Sequence, residues 1–544
     1  MSNRRGQTMV LAYVAVFVIT VLGGSLLNHS LTSTRHNDID QLYSETFYLT
    51  EGGVEDASAK FAQAIANFQV DANTVRYPAV GSLVTTFASG GTASSVITEA
   101  EPAPRTIVDP DDTAVFVKNY EIVTTAQHPL NANISVTLHQ VVGRRIIYTF
   151  QHAVFYDADL EWLPGPNMTL SGRVHSNSDM YLGTHNILTV DSEYLRAVGS
   201  IYNRRKDSTQ DMNGSVQILK AGSSPATYPV MSIDSSSPTW FADSQTTWSG
   251  TVKSGVHGVV KRSVPVVGST QPGGYYDTNA DVKVVNGTLT KGGVTLMDGS
   301  NPACNTDTTY CVPPGTITTV TTMKNNRENA YVRMTNIDIG RLGGGTYGGK
   351  TYPSQMPANG LVYATRDDAP SGQQPGVRLV NGSEVKRAGG LTVVSNDPVY
   401  VQGNYNTVSK KPCAVIGDAM NLLSNNWNDA NSASSLSSRP ATGTTINAAF
   451  IAGINTTTTG QYNGGLENYP RLHEKWDGQT LTIQGSFVSL WNSQIGTGPW
   501  SYGGMQYTAP IRNWAWDTSF GSGTNLPPFT PWSVEMDRGA WWRQ

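Results

Sequence analysis

The feature that most constrains this chain is an uncharged run from Thr8 to Leu27, placed directly after Arg4, Arg5 and Gly6. Wound as a helix at ~1.5 Å per residue, those residues reach ~30 Å, the thickness of a bilayer's hydrocarbon core. Arg4 and Arg5 hold the start in the cytoplasm, so the remainder is exported. A cleaved secretory signal is the competing reading. The run exceeds the ~7–15-residue apolar stretch of such signals, and no Ala-x-Ala step ends it. The expected topology is a single pass of the inner (cytoplasmic) membrane through residues 8–27, with the carboxyl-terminal region extracytoplasmic.

The helical pattern continues past the apolar run. From Ile39 a spacing of three to four recurs through Leu42, Thr46, Leu49, Val54, Ala57, Phe61, Ala64 or Ile65, and Phe68. Glu45, Glu51, Glu55, Asp56 and Lys60 take mostly the complementary positions. The chain therefore reads as a basic leader over 1–6 and a membrane-spanning, then amphipathic, helix over 7–70. Gly52 and Gly53 each cost ~1 kcal/mol in a helix interior, which predicts a bend there.

Arg5-Gly6, the string Thr20-Val21-Leu22-Gly23 and the segment Phe47-Tyr48-Leu49-Thr50-Glu51-Gly52-Gly53-Val54-Glu55-Asp56-Ala57 together resemble the PilX-type amino-terminal domain of type IV pilin-like proteins. The resemblance covers about residues 4–68. It implies leader processing between Gly6 and Gln7, and partners among other pilin-like subunits and the pilus assembly platform. Major pilins carry a glutamate five residues after the cleavage point. Leu11 stands there in this chain, which implies an accessory or minor subunit rather than the main filament protein. Gln7 also replaces the family's usual Phe or Met.

Beyond the helix the composition is that of turn-rich β structure. Charged residues make up 14% of the chain and glycines number 54, against ~25% charged in ordinary soluble domains. A net charge of −4 argues against a nucleic-acid partner held by phosphate neutralisation. Residues 71–165 read as an antiparallel β region, from strands around Val115–Val117, Ile134–Leu138 and Ile146–Phe150. From Pro166 short apolar strands alternate with Gly and Asn corners, as in Met168–Ser171, Gly390–Ser395, Val399–Gly403, Ala414–Gly417 and Leu481–Val488. Their recurrence, roughly every 20–35 residues, suggests an irregular parallel β-helix with long insertions over 166–410. A β-rich, Trp-rich region follows over 411–544. The fold class is α+β, mostly β; stacked β-sandwiches are the alternative. The strings around 172–177, 391–406 and 422–429 resemble large exported bacterial proteins with a PilX-like start, which implies location and architecture only.

Three cysteines exclude a four-cysteine zinc site. Cys304 and Cys311 enclose six residues, a spacing that suits a local disulfide in an oxidising compartment; Cys413 before Ala414-Val415-Ile416 reads as a buried small hydrophobe. Nine of twelve tryptophans lie beyond residue 424. Stacked indoles can bind sugars or a surface, but most of these read as locks on loops rich in proline.

The search for chemistry is brief. Asp157, Asp159 and Glu161 alternate and would share one face, as carboxylates of glycoside hydrolysis can; acidic alternation is more often a solvated face. His175, Asn177 and Asp179 make a poor metal corner. Asn425, Asn426, Asn428, Asp429 and Asn431 lack a glutamate to close a calcium loop. Glu467, Glu474 and Asp477 beside Arg471, His473 and Lys475 favour ion pairing. No P-loop, nucleophile elbow or His-Glu-x-x-His stretch occurs. No catalytic, cofactor or metal residue is expected, and the chain is read as no enzyme.

The favoured expectation is a minor pilin-like subunit of a type IV pilus or related secretion filament, its β region displayed for adhesion or a tip function, with a surface glycan as a further candidate partner. The alternatives are a membrane-anchored exported adhesin or envelope protein outside any filament, and an envelope-tethered carbohydrate-active β-helix enzyme.

Overall fold

A computed structural model describes residues 4–65, 83–109, 113–208 and 210–544. The chain divides into two compact units, one of residues 1–105, 117–145 and 536–544, the other of 106–116 and 146–535.

In the first unit one helix runs unbroken over Arg4–Ile65. Phe68, expected at the end of its stripe, lies outside the described residues, as do 66–70 of the expected helix. A sheet takes Leu83–Thr86, Thr92–Glu99, Ala114–His128, Asn131–Tyr148 and Trp532–Arg543 in that spatial order, with Arg105–Val108 also paired to Ala114–His128. The first two pairings are antiparallel. The helix offers the sheet Thr46, Thr50, Val54, Ala57, Phe61 and Ile65, steps of three to four that form one buried face. Phe61 meets the Tyr120 ring at 4.8 Å. The helix passes through Gly52–Gly53 without interruption, and the pair serves close approach. A Cβ on Gly53 would sit 2.6 Å from that of Ala93 and 2.8 Å from the Thr124 methyl, so a side chain there would push the helix off the sheet.

The second unit is a coil of parallel ladders. The longest sheet has twelve strands, ordered Val252–Lys253, Leu195–Ala197, Val174–Ser176, Val154–Tyr156, Phe487–Ser489, Ala449–Ala452, Cys413–Gly417, Leu391–Ser395, Leu361–Thr365, Val282–Val285, then two short antiparallel strands. The first ten pair in parallel, whereas a sandwich built from hairpins would pair them antiparallel. Two further ladders share the turns of the coil's first half, one of Leu160–Trp162, Met180–Leu182 and Ile201–Tyr202, the other of Met168–Ser171, Ile187–Asp191 and Ser215–Ile218. The step there is 20 residues, from 154 to 174, 160 to 180 and 168 to 188.

The chain enters this coil in its middle. It climbs from Val154–Tyr156 to Val252–Lys253, restarts at the opposite end with Val282–Val285, and returns until Phe487–Ser489 pairs with Val154–Tyr156. Residues 254–281 join the two ends and run over the outer face. Arg262 exchanges backbone bonds with the Asn177 amide at 2.7 and 3.0 Å, and the Tyr363 hydroxyl donates to the Thr270 carbonyl at 2.9 Å.

One file of side chains fills the coil from end to end: Val282, Val362, Val393, Val415, Phe450, Phe487, Val154, Val174, Leu195 and Val252 follow one another by register. All are buried. Corners need special backbone: Gly390 has φ +78°, and a Cβ there would meet the Pro412 carbonyl oxygen at 1.8 Å. Asn404 and Asn425 stack at another corner, where the Asn425 side chain accepts from Asn404 N at 2.8 Å and the Asn404 side chain accepts from Thr445 N at 2.9 Å. Cys304 and Cys311 form a disulfide on a loop of the same unit.

Two segments sit elsewhere than the sequence reading placed them. Val154–Tyr156 and Leu160–Trp162, grouped with the antiparallel region over 71–165, belong to the parallel ladders. The last strand, grouped with the Trp-rich region over 411–544, pairs in the sheet beside Asn131–Tyr148. Local periodicity marks a strand's faces, and pairing between segments hundreds of residues apart leaves no local mark.

Gly390→Ala should therefore lower unfolding stability by about 2 kcal/mol or more, since it adds a left-handed penalty to a clash with backbone. Urea denaturation of the full chain would read this as a lower midpoint; an unchanged midpoint would contradict the corner geometry.

Candidate functional site

The helix has two different halves. From Gly6 to Gln41 every side chain is exposed, including Leu11 at 69% and Phe17 at 70%. Fully burying a Leu or Phe is worth about 1.5–3 kcal/mol, so this half is stable only in lipid or among other apolar helices. It is long and apolar enough to cross a membrane. Its polar groups are handled internally: Thr20 donates its hydroxyl to the Val16 carbonyl at 2.8 Å, which removes an unpaired donor from the apolar stretch. Gly6 and Gln7 lie within the first turns.

The upper half is held by charge as well as packing. Arg538 donates both terminal guanidinium nitrogens to Glu55, at 2.5 and 2.6 Å, and holds that carboxyl below the usual range. Asp56 accepts from Lys60 at 2.6 Å and Thr85 at 2.5 Å. Of the stripe read from sequence, Ile39 is exposed and Leu49 half-buried.

In the second unit, Asp157, Asp159 and Glu161 do converge. They line a cleft of about 220 Å³ with Lys206, Asn455 and Thr457, at the seam where the coil's first and last turns meet. Asp157 accepts from the Asn177 amide at 2.7 Å. Asp159 accepts from Lys206 at 2.7 Å, Ser178 at 2.5 Å and Asp179 N at 3.1 Å. Burial pushes the Asp159 carboxyl up, and Lys206 and Ser178 outweigh that, so it stays below its ordinary value. Glu161 is different: it is 2% exposed, and its Oε2 has no hydrogen-bond partner among the described residues. Burial lifts it to about 7, with Glu467 and Asp207 adding to the shift and Thr457 and Lys206 opposing it. The cleft thus holds one acid of raised and one of lowered proton affinity. Sequence alternation placed these residues together; the loop that covers Glu161 carried no such signal.

Other residues flagged by sequence have structural employment. His175 bonds Asn177 at 3.1 Å and stacks on Phe155 at 5.1 Å, and burial holds its imidazole well below the usual range. Asp179 caps Ser200 N at 2.7 Å. Asp429 is paired bidentately with Arg378, at 2.7 and 2.9 Å, and so is not free for a cation. Among the described residues no group of three His, Cys, Asp or Glu could hold a metal ion. Glu467 and Glu474, expected in ion pairs, are instead buried and hydrogen-bonded. Glu467 accepts from the Tyr462 hydroxyl and Leu163 N, Glu474 from Ser424 Oγ and N. Arg471 pairs with Glu328. Cys413 is buried, and burial pushes its thiol up to about 12. Of the late tryptophans, Trp427, Trp476, Trp514 and Trp532 are buried, while Trp541 and Trp542 are exposed.

The Glu161 carboxyl titrates near 4.5 when solvated and about 7 in the fold. The folded chain thus binds the extra proton between those values, and stability contributed by the neutral acid is lost as pH rises through them. Glu161→Gln removes this dependence. Relative to the parent, the variant should gain about 1 kcal/mol or more between about pH 5 and pH 8 in urea unfolding at fixed ionic strength. Parallel pH profiles would mean that the carboxyl is ionised and solvated in the fold.

No family model matches the chain, and no curated protein matches it. Among solved structures, the competence-associated pilin ComZ from Thermus thermophilus aligns over 92% of this chain and 97% of its own, at 10% identity and a TM-score of 0.27. A likeness at that TM-score carries no inference about this chain.

Proposed function

We propose that the chain is a non-enzymatic, low-copy subunit of a type IV pilus or related secretion filament. In this reading residues 8–27 anchor it in the cytoplasmic membrane until the helix joins neighbouring pilin-like subunits at the assembly platform. The β region stands outside, for adhesion or a tip function. The observation that supports this most is the single helix over Arg4–Ile65, bare below Gln41 and packed by one face above it. A plain anchor needs only ~20 apolar residues and tolerates a flexible linker after them. A helix that leaves the lipid without a break is suited to packing lengthwise against other helices.

Two further features favour a low-copy position. The uncharged run holds Leu11 and no acid, so it lacks a buried carboxylate to pair with a neighbour's amine. The second unit, over 106–116 and 146–535, exceeds the ~50–250 residues of an ordinary domain and is too bulky to repeat closely along a filament.

The test is the amino terminus, read by mass spectrometry on protein from the envelope and from sheared surface filaments. Loss of residues 1–6, with Gln7 as the new start, is expected in the filament fraction at a small share of total filament protein. An intact Arg4-Arg5 leader found only in membranes would replace this reading with an anchored envelope protein. Recovery as the main filament component would overturn the low-copy position.

A further inference from the structure

We infer that a second cavity at the coil's seam is a binding site for a neutral saccharide. It has a volume of about 360 Å³ and is lined by Tyr462, Trp500, Tyr502 and Tyr507 and by aliphatic Leu163, Pro166, Met212 and Ala509, with polar groups from Arg205, Glu467, Asn468, Arg512 and His185. That volume falls within the ~300–1,000 Å³ of small-molecule sites.

The aromatic rings are mutually braced. Tyr462 meets Trp500 edge to face at 5.4 Å, Tyr502 meets Tyr507 at 5.4 Å, and Trp500 Nε1 donates to the Tyr507 hydroxyl at 3.2 Å. Gly464, at φ +99°, lets the Trp500 indole lie against the backbone, since a Cβ there would come within 2.5 Å of the ring. Tyr507 in turn donates to Asn468. The cavity wall is thus built before any ligand arrives, which lowers the ordering cost of binding. Tyr502 is 54% exposed and stands at the rim.

The polar groups narrow the ligand class. Arg205 is engaged bidentately by Asp207 at 2.8 and 3.0 Å and lies over the Tyr462 ring. Arg512 donates Nε to the Glu467 carbonyl at 3.0 Å, and the Glu467 carboxyl stands in the same wall. Asp207 offsets Arg205, so an anionic ligand such as a nucleotide finds Arg512 alone, with a buried carboxyl beside it. The terminal nitrogens of Arg512 and the imidazole of exposed His185 make no hydrogen bond among the described residues. An apolar peptide side chain would cover those donors without satisfying them. A sugar ring answers both halves of the wall: its C–H face lies on indole or phenol, and its hydroxyls both accept from the guanidinium and donate to amide and carboxyl oxygens.

This inference goes beyond the filament reading and is tested without filaments. The full chain, held in phosphatidylcholine nanodiscs, would be titrated calorimetrically with cellotriose, maltotriose, galactotriose and triacetylchitotriose, with the tripeptide acetyl-Leu-Phe-Leu-amide as the rival occupant. At least one sugar is expected to bind with Kd below about 1 mM. Tyr502→Ala and Arg512→Gln should each weaken it about tenfold or more, with circular dichroism and melting unchanged. Tyr502 is exposed, so that variant keeps the test readable if Arg512→Gln disturbs the fold. The inference fails if none of the four sugars binds at about 10 mM, if the bound sugar is indifferent to Tyr502→Ala, or if the tripeptide binds more tightly than every sugar.

Discussion

The pairing of Phe487–Ser489 with Val154–Tyr156 is the contact on which the second unit depends. Without it the coil would be two shorter stacks, each with a row of unpaired backbone groups and an open apolar end in mid-molecule. With it, the Val, Leu and Phe file from Val282 to Val252 becomes continuous. A parallel ladder gains from each added turn, because each buries the side chains of the one before it. The strap over 254–281 follows from the same choice. A chain that enters in the middle and fills one end first must run the coil's length to begin the other.

The seam also explains where the clefts are. On the long ladder the first and last turns join by strand pairing. Beside it, Leu160–Trp162 pairs with Met180–Leu182 on one edge only, and Leu163 N just past it is tied to the Glu467 carboxyl in the turn Leu466–Asn468. A ladder of side chains closes its surface by repetition, whereas an irregular turn leaves space. Buried acids and aromatic rings fill the margins of that space, where burial raises the proton affinity of both Glu161 and Glu467 and Glu467 adds to the shift of Glu161. The two clefts lie on either side of one interruption in an otherwise repeating structure.

Much of this was legible from local patterns. The stripe through Thr46, Val54, Ala57, Phe61 and Ile65 announces its element because burial on one face imposes a period, while the uncharged run after Arg4 and Arg5 and the strands at Leu391–Ser395 and Cys413–Gly417, buried at every residue, show as continuous apolar stretches. At Gly52–Gly53, where a bend was expected, the helix is unbroken and Gly53 packs closely on Ala93 and Thr124; propensity records what glycine costs and not which neighbour needs the room. The destination of Trp532–Arg543 and the restart at Val282 were illegible, since both are set by partners distant in sequence. The aromatic cavity was half legible: the density of late tryptophans was plain, but Trp500 differs from buried Trp476 only through tertiary placement.

The seam is also the longest-range pairing of the coil's long ladder. Val154 and Phe487 are 333 residues apart (487 minus 154), and the loop-closure cost grows only as the logarithm of that span, so the distance burdens the rate more than the final stability. Val174–Ser176 covers one edge of Val154–Tyr156 as soon as the next turn is made, while the other edge waits for almost the last turn of the coil. An apolar edge left open so long invites pairing with another chain. The strand Trp532–Arg543 lies 43 residues past the seam strand Phe487–Ser489 (532 minus 489), with Ile511–Trp516 between them, and pairs in the sheet beside Asn131–Tyr148. The stretch from Phe487 to Arg543 therefore supplies both the strand that closes the coil's long ladder and an edge strand of the sheet beside Asn131–Tyr148.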